Sequence, residues 1–95
     1  MSNKIVVNGE YGGFMLSKEA ITWLKSNYSL DEGDIIDLPR HDHRLVECIE
    51  TLGKRASEGW SDIYVTEIEG NKYFIDEYDG LETVVEPKDI NWIEI

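Results

Sequence analysis

Arg40-His41-Asp42-His43-Arg44 holds two of the chain's three arginines and both of its histidines. Directly after it, Leu45, Ile49, Leu52 and Ala56 recur at helical spacing, so Asp42 is placed to cap a helix. A helix start offers backbone N–H groups to an anion, and a guanidinium grips phosphate or carboxylate at two points. The segment thus reads as an anion site in which Arg40 and Arg44 carry the charge and His41 and Asp42 border it. The competing reading is that both arginines neutralise nearby acids and Asp42 only caps the helix.

A second constellation is Asp76-Glu77-Tyr78-Asp79-Gly80, with Glu82 and Glu86 beyond it. Its carboxylates could accept hydrogen bonds from a ribose or base, coordinate a divalent cation, or pair with Arg40 and Arg44. Asp76, Glu77 and Tyr78 are kept as ligand candidates. Glu82 and Glu86 read as a solvated face opposite Leu81, Thr83 and Val85. A third constellation is the loop Tyr11-Gly12-Gly13-Phe14, whose glycines permit close backbone approach and whose aromatics could stack on a base. A tight turn with one core aromatic is the plainer reading of it.

Other chemistry is disfavoured. Two histidines one residue apart make a weak metal signal, and no P-loop ending Gly-Lys-Ser/Thr is present. No catalytic triad can be assembled, and Cys48 lies beside an apolar helical stripe, as packing. No catalytic residue, metal ligand or cofactor is assigned.

The elements that must position these residues follow from pattern. Lys4 to Asn8 is a β-rich run closed by glycines. Ser17 is an N-cap for a helix from Lys18 to Asn27, carried by Ala20, Ile21, Leu24 and Tyr28. Ser29 to Asp37 is turn-prone, with a short extended piece at Ile35, Ile36 and Leu38. The second helix contains Gly53 and ends before Gly59. Strands are then expected over Asp62 to Glu69, Tyr73 to Tyr78 and Leu81 to Val85, joined by turns at Gly70-Asn71 and Asp79-Gly80, with a last one over Trp92 to Ile95. The expectation is a single α+β domain over residues 1–95: one N-terminal strand, two helices, then an antiparallel β-meander of three to four strands.

Composition narrows the partners. Twenty Asp and Glu against nine Lys and Arg give a net charge of −11, which disfavours direct nucleic acid binding and an anionic membrane. Residues 1–8 lack a signal-peptide core and no run reaches membrane-spanning length, so a cytoplasmic location is expected. Ten aromatic residues in 95 point to a homo-oligomer, because a chain this short buries a modest share of its surface.

Tyr11-Gly12-Gly13-Phe14 with Leu16-Ser17, Arg40-His41-Asp42 with Leu45-Val46-Glu47 and Leu52-Gly53, and Ile75-Asp76-Glu77-Tyr78-Asp79-Gly80 with Glu82 occur in that order. This pattern resembles a family of small bacteriophage and plasmid proteins, over most of the chain. The chain departs from it at Met15, where the family has Gly, and at His43, where it has Pro. The resemblance implies a phage or mobile-element origin, hence the cytoplasm of a host cell. By analogy of context it suggests anti-defence activity, in which an oligomeric sponge sequesters a signal without cleaving it. The leading expectation is therefore a non-enzymatic protein that holds a small anionic ligand, such as a nucleotide, between Arg40–Arg44, Tyr11–Phe14 and Asp76–Tyr78. The alternatives are an acidic DNA mimic or protein–protein inhibitor, and a weak nucleotide-processing enzyme using His41 with Asp76 or Glu77.

Overall fold

Four consecutive residues of the first strand, Ile5, Val6, Val7 and Asn8, are wholly inaccessible to solvent. A strand buried on both faces needs a layer on each side, and the fold supplies them. A computed structural model describes residues 3–89 and 93. In chain order it contains β1 (Asn3–Asn8), α1 (Lys18–Tyr28), α2 (Glu32–Ile36), α3 (His43–Leu52), β2 (Ile63–Ile68), β3 (Phe74–Tyr78) and β4 (Leu81–Val85). The fold is α+β. The strand expected over Trp92 to Ile95 lies outside the described residues, Ile93 apart. Among the described residues no helix is long and apolar enough to cross a membrane.

β1 pairs antiparallel with β2, Val6 opposite Val65, and β3 pairs antiparallel with β4, Asp76 opposite Thr83. One face of β1 sends Val6 into a core shared with Leu24, Leu45, Ile49 and Ile63. The other sends Ile5 and Val7 against Ile68, Tyr73, Ile75 and Val84. The order of layers is helices, the β1–β2 ribbon, then the β3–β4 hairpin.

Three expectations change. The meander is split, because β2 takes β1 as its partner and the two ribbons form separate sheets. After β2 the chain turns at Gly70, whose carbonyl accepts from Asn3 Nδ2 at 2.7 Å, and the hairpin crosses the ribbon's face. The segment around Ile35 is helical rather than extended. Asp31 and Asp34 form a reciprocal capping box, which satisfies the orphan donors at the start of α2. Gly53 ends α3 instead of lying inside it: its φ of 58° is left-handed, and a short 3₁₀ turn, Gly53–Ala56, follows. Both anticipated N-caps are present, Ser17 accepting from Ala20 N and Asp42 from Arg44 N.

Candidate functional site

The loop Gly9–Gly13, the turn of the β3–β4 hairpin and Arg40 meet at the end of β1. Buried Asn8 organises the meeting. Its Nδ2 donates to Glu10 O and Gly80 O, both at 2.8 Å, while its Oδ1 accepts from Asp62 N at 2.8 Å and Glu10 N at 3.3 Å. Gly12 N donates to Asp79 O at 2.8 Å. Gly80 sits so tightly on this loop that a Cβ on it would lie 2.0 Å from Gly13 N. Only glycine fits a backbone-on-backbone contact of that kind, and its φ of 89° adds a second reason.

Arg40 is held from three sides. Its guanidinium meets Glu82 in a two-point pair, Nη1–Oε1 2.5 Å and Nη2–Oε2 2.8 Å. Its Cζ lies 3.7 Å from the centre of the Phe14 ring, a cation–π contact. Nη1 also reaches Val6 O at 3.3 Å. Glu82 is 8% exposed, and its Oε1 accepts from Asn8 N at 2.9 Å. The expectation of a solvated Glu82 is therefore corrected: β4 turns Glu82 and Val84 inward and leaves Thr83 exposed. The period-two spacing holds, but the inward face carries an acid because a guanidinium and an N–H wait there.

Arg44 turns back on its own helix cap. Its Nε and Nη2 donate to Asp42 at 3.0 and 2.9 Å. The Arg44 hydrogen bonds outweigh partial burial and hold the Asp42 carboxyl at about 2, well below its usual 3.8. His41 Nδ1 shares a 2.7 Å hydrogen bond with the Tyr73 hydroxyl, whose pKa is raised, chiefly by burial.

The expected residues are thus brought together in part. Phe14 meets Arg40, and Tyr11 meets Tyr78 edge-on with ring centres 6.5 Å apart. Gly12 and Gly13 form the seat for Gly80. Asp76 and Glu77 are exposed and, among the described residues, enter no ion pair. Among the described residues no ion pair or side-chain hydrogen bond joins Arg44 to the Tyr11–Phe14 loop or to Asp76–Tyr78. Both guanidinium groups of the expected anion site already hold carboxylates.

Sequence reasoning passed over a groove of about 530 Å³ that opens beside this junction. Phe14 and Leu16 from the loop, Ile21 from α1, Ile35 from α2, and Leu38 and Leu45 form its apolar lining. Arg40, Lys18 and Glu32 are its charged groups. Lys18 has no acidic partner among the described residues, whereas Glu32 is engaged by Lys25 at 3.1 Å. The one available signal was Lys18 itself, a cation placed just after a helix cap.

Cys48 is not poised as a nucleophile. It is fully buried, and desolvation pushes its thiol up to about 11. No group of three or more His, Cys, Asp and Glu among the described residues is arranged to hold a metal ion. Comparison with protein-family models, with curated proteins and with solved structures finds no match.

Proposed function

We propose that the chain is a non-enzymatic binding protein that sequesters a small anionic ligand of nucleotide type in the groove between α1, α2 and the Phe14–Leu16 segment. The observation that carries this reading is Lys18, a cation with no acidic partner among the described residues, at the edge of an apolar groove of about 530 Å³. Such a volume falls in the range of small-molecule sites, which pair apolar walls with a few polar anchors. In a chain of net charge −11, a groove whose acid and guanidinium are both already paired, leaving Lys18 as its unpaired charge among the described residues, is a locally favourable place for a negative group.

In this reading Phe14 offers a ring edge to a planar body, Lys18 holds the anionic group, and Arg40 remains with Glu82 as part of the wall. Ile36 lines the groove and is 80% exposed, so a second copy packed there would close it, in keeping with a homo-oligomer. The cellular role that goes with it, countering a nucleotide-signalled host defence, rests on the resemblance to phage and plasmid proteins.

The test is native mass spectrometry and calorimetry with a panel of linear and cyclic nucleotides. A ligand retained and recovered unchanged is expected, with Lys18→Glu weakening it about tenfold or more, the loss of one charge-assisted contact, at unchanged melting temperature. Recovery of a converted ligand would assign an enzyme. Failure to retain any member of the panel would overturn the reading.

A further inference from the structure

Four aromatic side chains surround the Gly9–Gly13 loop, and all are exposed: Tyr11 at 56%, Trp60 at 88%, Tyr64 at 44% and Tyr78 at 72%. Gly9 lets Tyr64 approach, and Trp60 lies beside Gly12. A Cβ on Gly9 would lie 2.9 Å from the Tyr64 ring, and one on Gly12 would lie 3.7 Å from Trp60 Cβ. Tyr78 completes the set through its edge contact with Tyr11. Exposed aromatics scattered singly need no explanation, but four of Tyr and Trp gathered around one loop mark a binding surface.

The backbone beneath these rings is held by hydrogen bonds. Asn8 fixes the backbone at Glu10, Asp62 and Gly80, and Gly12 N is bonded to Asp79 O. A platform held by its backbone loses little freedom when a partner lands on it.

Its charge selects the partner. Glu10, Asp62 and Asp79 adjoin the four rings in the chain or through these bonds, and Asp76 shares a face of β3 with Tyr78. All four are exposed, and among the described residues none has a basic partner. Phosphate groups are repelled by such a rim. A guanidinium suits it twice over, since it stacks on an aromatic face and forks onto a carboxylate, which an ammonium does less well. We propose that the Tyr11–Trp60–Tyr64–Tyr78 platform docks an arginine-rich segment of a partner protein. The surface is separate from the groove that carries Lys18.

The test is fluorescence anisotropy of labelled nonaarginine and nonalysine peptides with the full chain, at about 150 mM salt to screen diffuse attraction. Nonaarginine is expected to bind about tenfold more tightly than nonalysine, and Trp60→Ala with Tyr78→Ala should erase that preference, as loss of hot-spot aromatics does. Asp37→Asn with Glu67→Gln, which neutralise two carboxylates of other segments, should leave the preference intact, as should Lys18→Glu. Equal binding of the two peptides, or a preference that survives loss of the aromatics, would overturn the proposal. So would binding of a single-stranded oligonucleotide that depends on Trp60 and Tyr78.

Discussion

Arg40 and Glu82, forty-two residues apart, join at two points and together finish the outer edge of β1. Val6 N donates to Arg40 O at 2.8 Å, Asn8 N to Glu82 Oε1 at 2.9 Å, and Val6 O accepts from Arg40 Nη1. Backbone groups that a neighbouring strand would satisfy are satisfied here by a carbonyl, a carboxylate and a guanidinium. That removes an open edge, which would otherwise invite pairing with another chain.

Removing one member of the pair strands the other. Arg40→Ala should cost about 3 kcal/mol or more, since a buried carboxylate is left without its cation. Replacing both, as Arg40→Met with Glu82→Leu, should cost less than the sum of the two singles, with a residual loss because Asn8 N then lacks its acceptor. Urea unfolding of the singles and the double decides it, and additive losses would deny the coupling.

Gly80 and Gly59 separate close approach from backbone angle. Both have positive φ, 89° and 63°, but a Cβ on Gly59 meets open space, while one on Gly80 runs into Gly12 and Gly13. Gly59→Ala should cost about 1 kcal/mol. Gly80→Ala should cost about 3 kcal/mol or more, because backbone must shift. Similar melting temperatures for the two variants would contradict the contact.

Asp42 predicts an acid limb of stability. Its folded pKa lies below its ordinary value of 3.8, at about 2, so its contribution is complete above pH 4 and is lost as pH falls from there toward 2. The pair with Arg44 is open to solvent on one side, which limits its worth to about 1 kcal/mol. Asp42→Asn should flatten the fall in stability between about pH 4 and pH 2. An unchanged slope would show that Arg44 does not favour the ionised form.

Cys48 provides a reporter of unfolding. Its Sγ is buried with a weak contact to Ala20 O at 3.7 Å, and its thiol is pushed up to about 11. Alkylation at pH 8 should be undetectable in the folded chain and rapid in urea. Fast labelling of the native protein would mean that α1 and α3 separate readily.

Local signals written in side-chain chemistry were legible. Ser17 and Asp42 cap the helices they appeared to cap, and β4 runs from Leu81 to Val85 as its alternation indicates. What could not be read is set by contacts distant in sequence. Glu82 looks solvated from its neighbours alone, because its burial is decided by Arg40 and Asn8. The split of the meander depends on β1 pairing with β2, across some sixty residues. At the groove, Leu16, Ile21 and Leu38 each read as ordinary core, and only their assembly leaves space beside Lys18. Trp60 gave no periodic signal, since it sits in a turn between helix and strand.

The dependence of β1 on the far end of the hairpin has a consequence for synthesis. Asn8 finds its partners at Gly80 and Glu82, 72 and 74 residues later. At ribosomal rates of roughly 5–20 residues per second, the first strand waits about 4–15 s before these partners have even been made. During that interval Ile5, Val6 and Val7 are a short apolar β-run with an unfilled edge. The nascent chain therefore passes through a window in which chaperone capture competes with folding, and the window closes when the last hairpin leaves the ribosome.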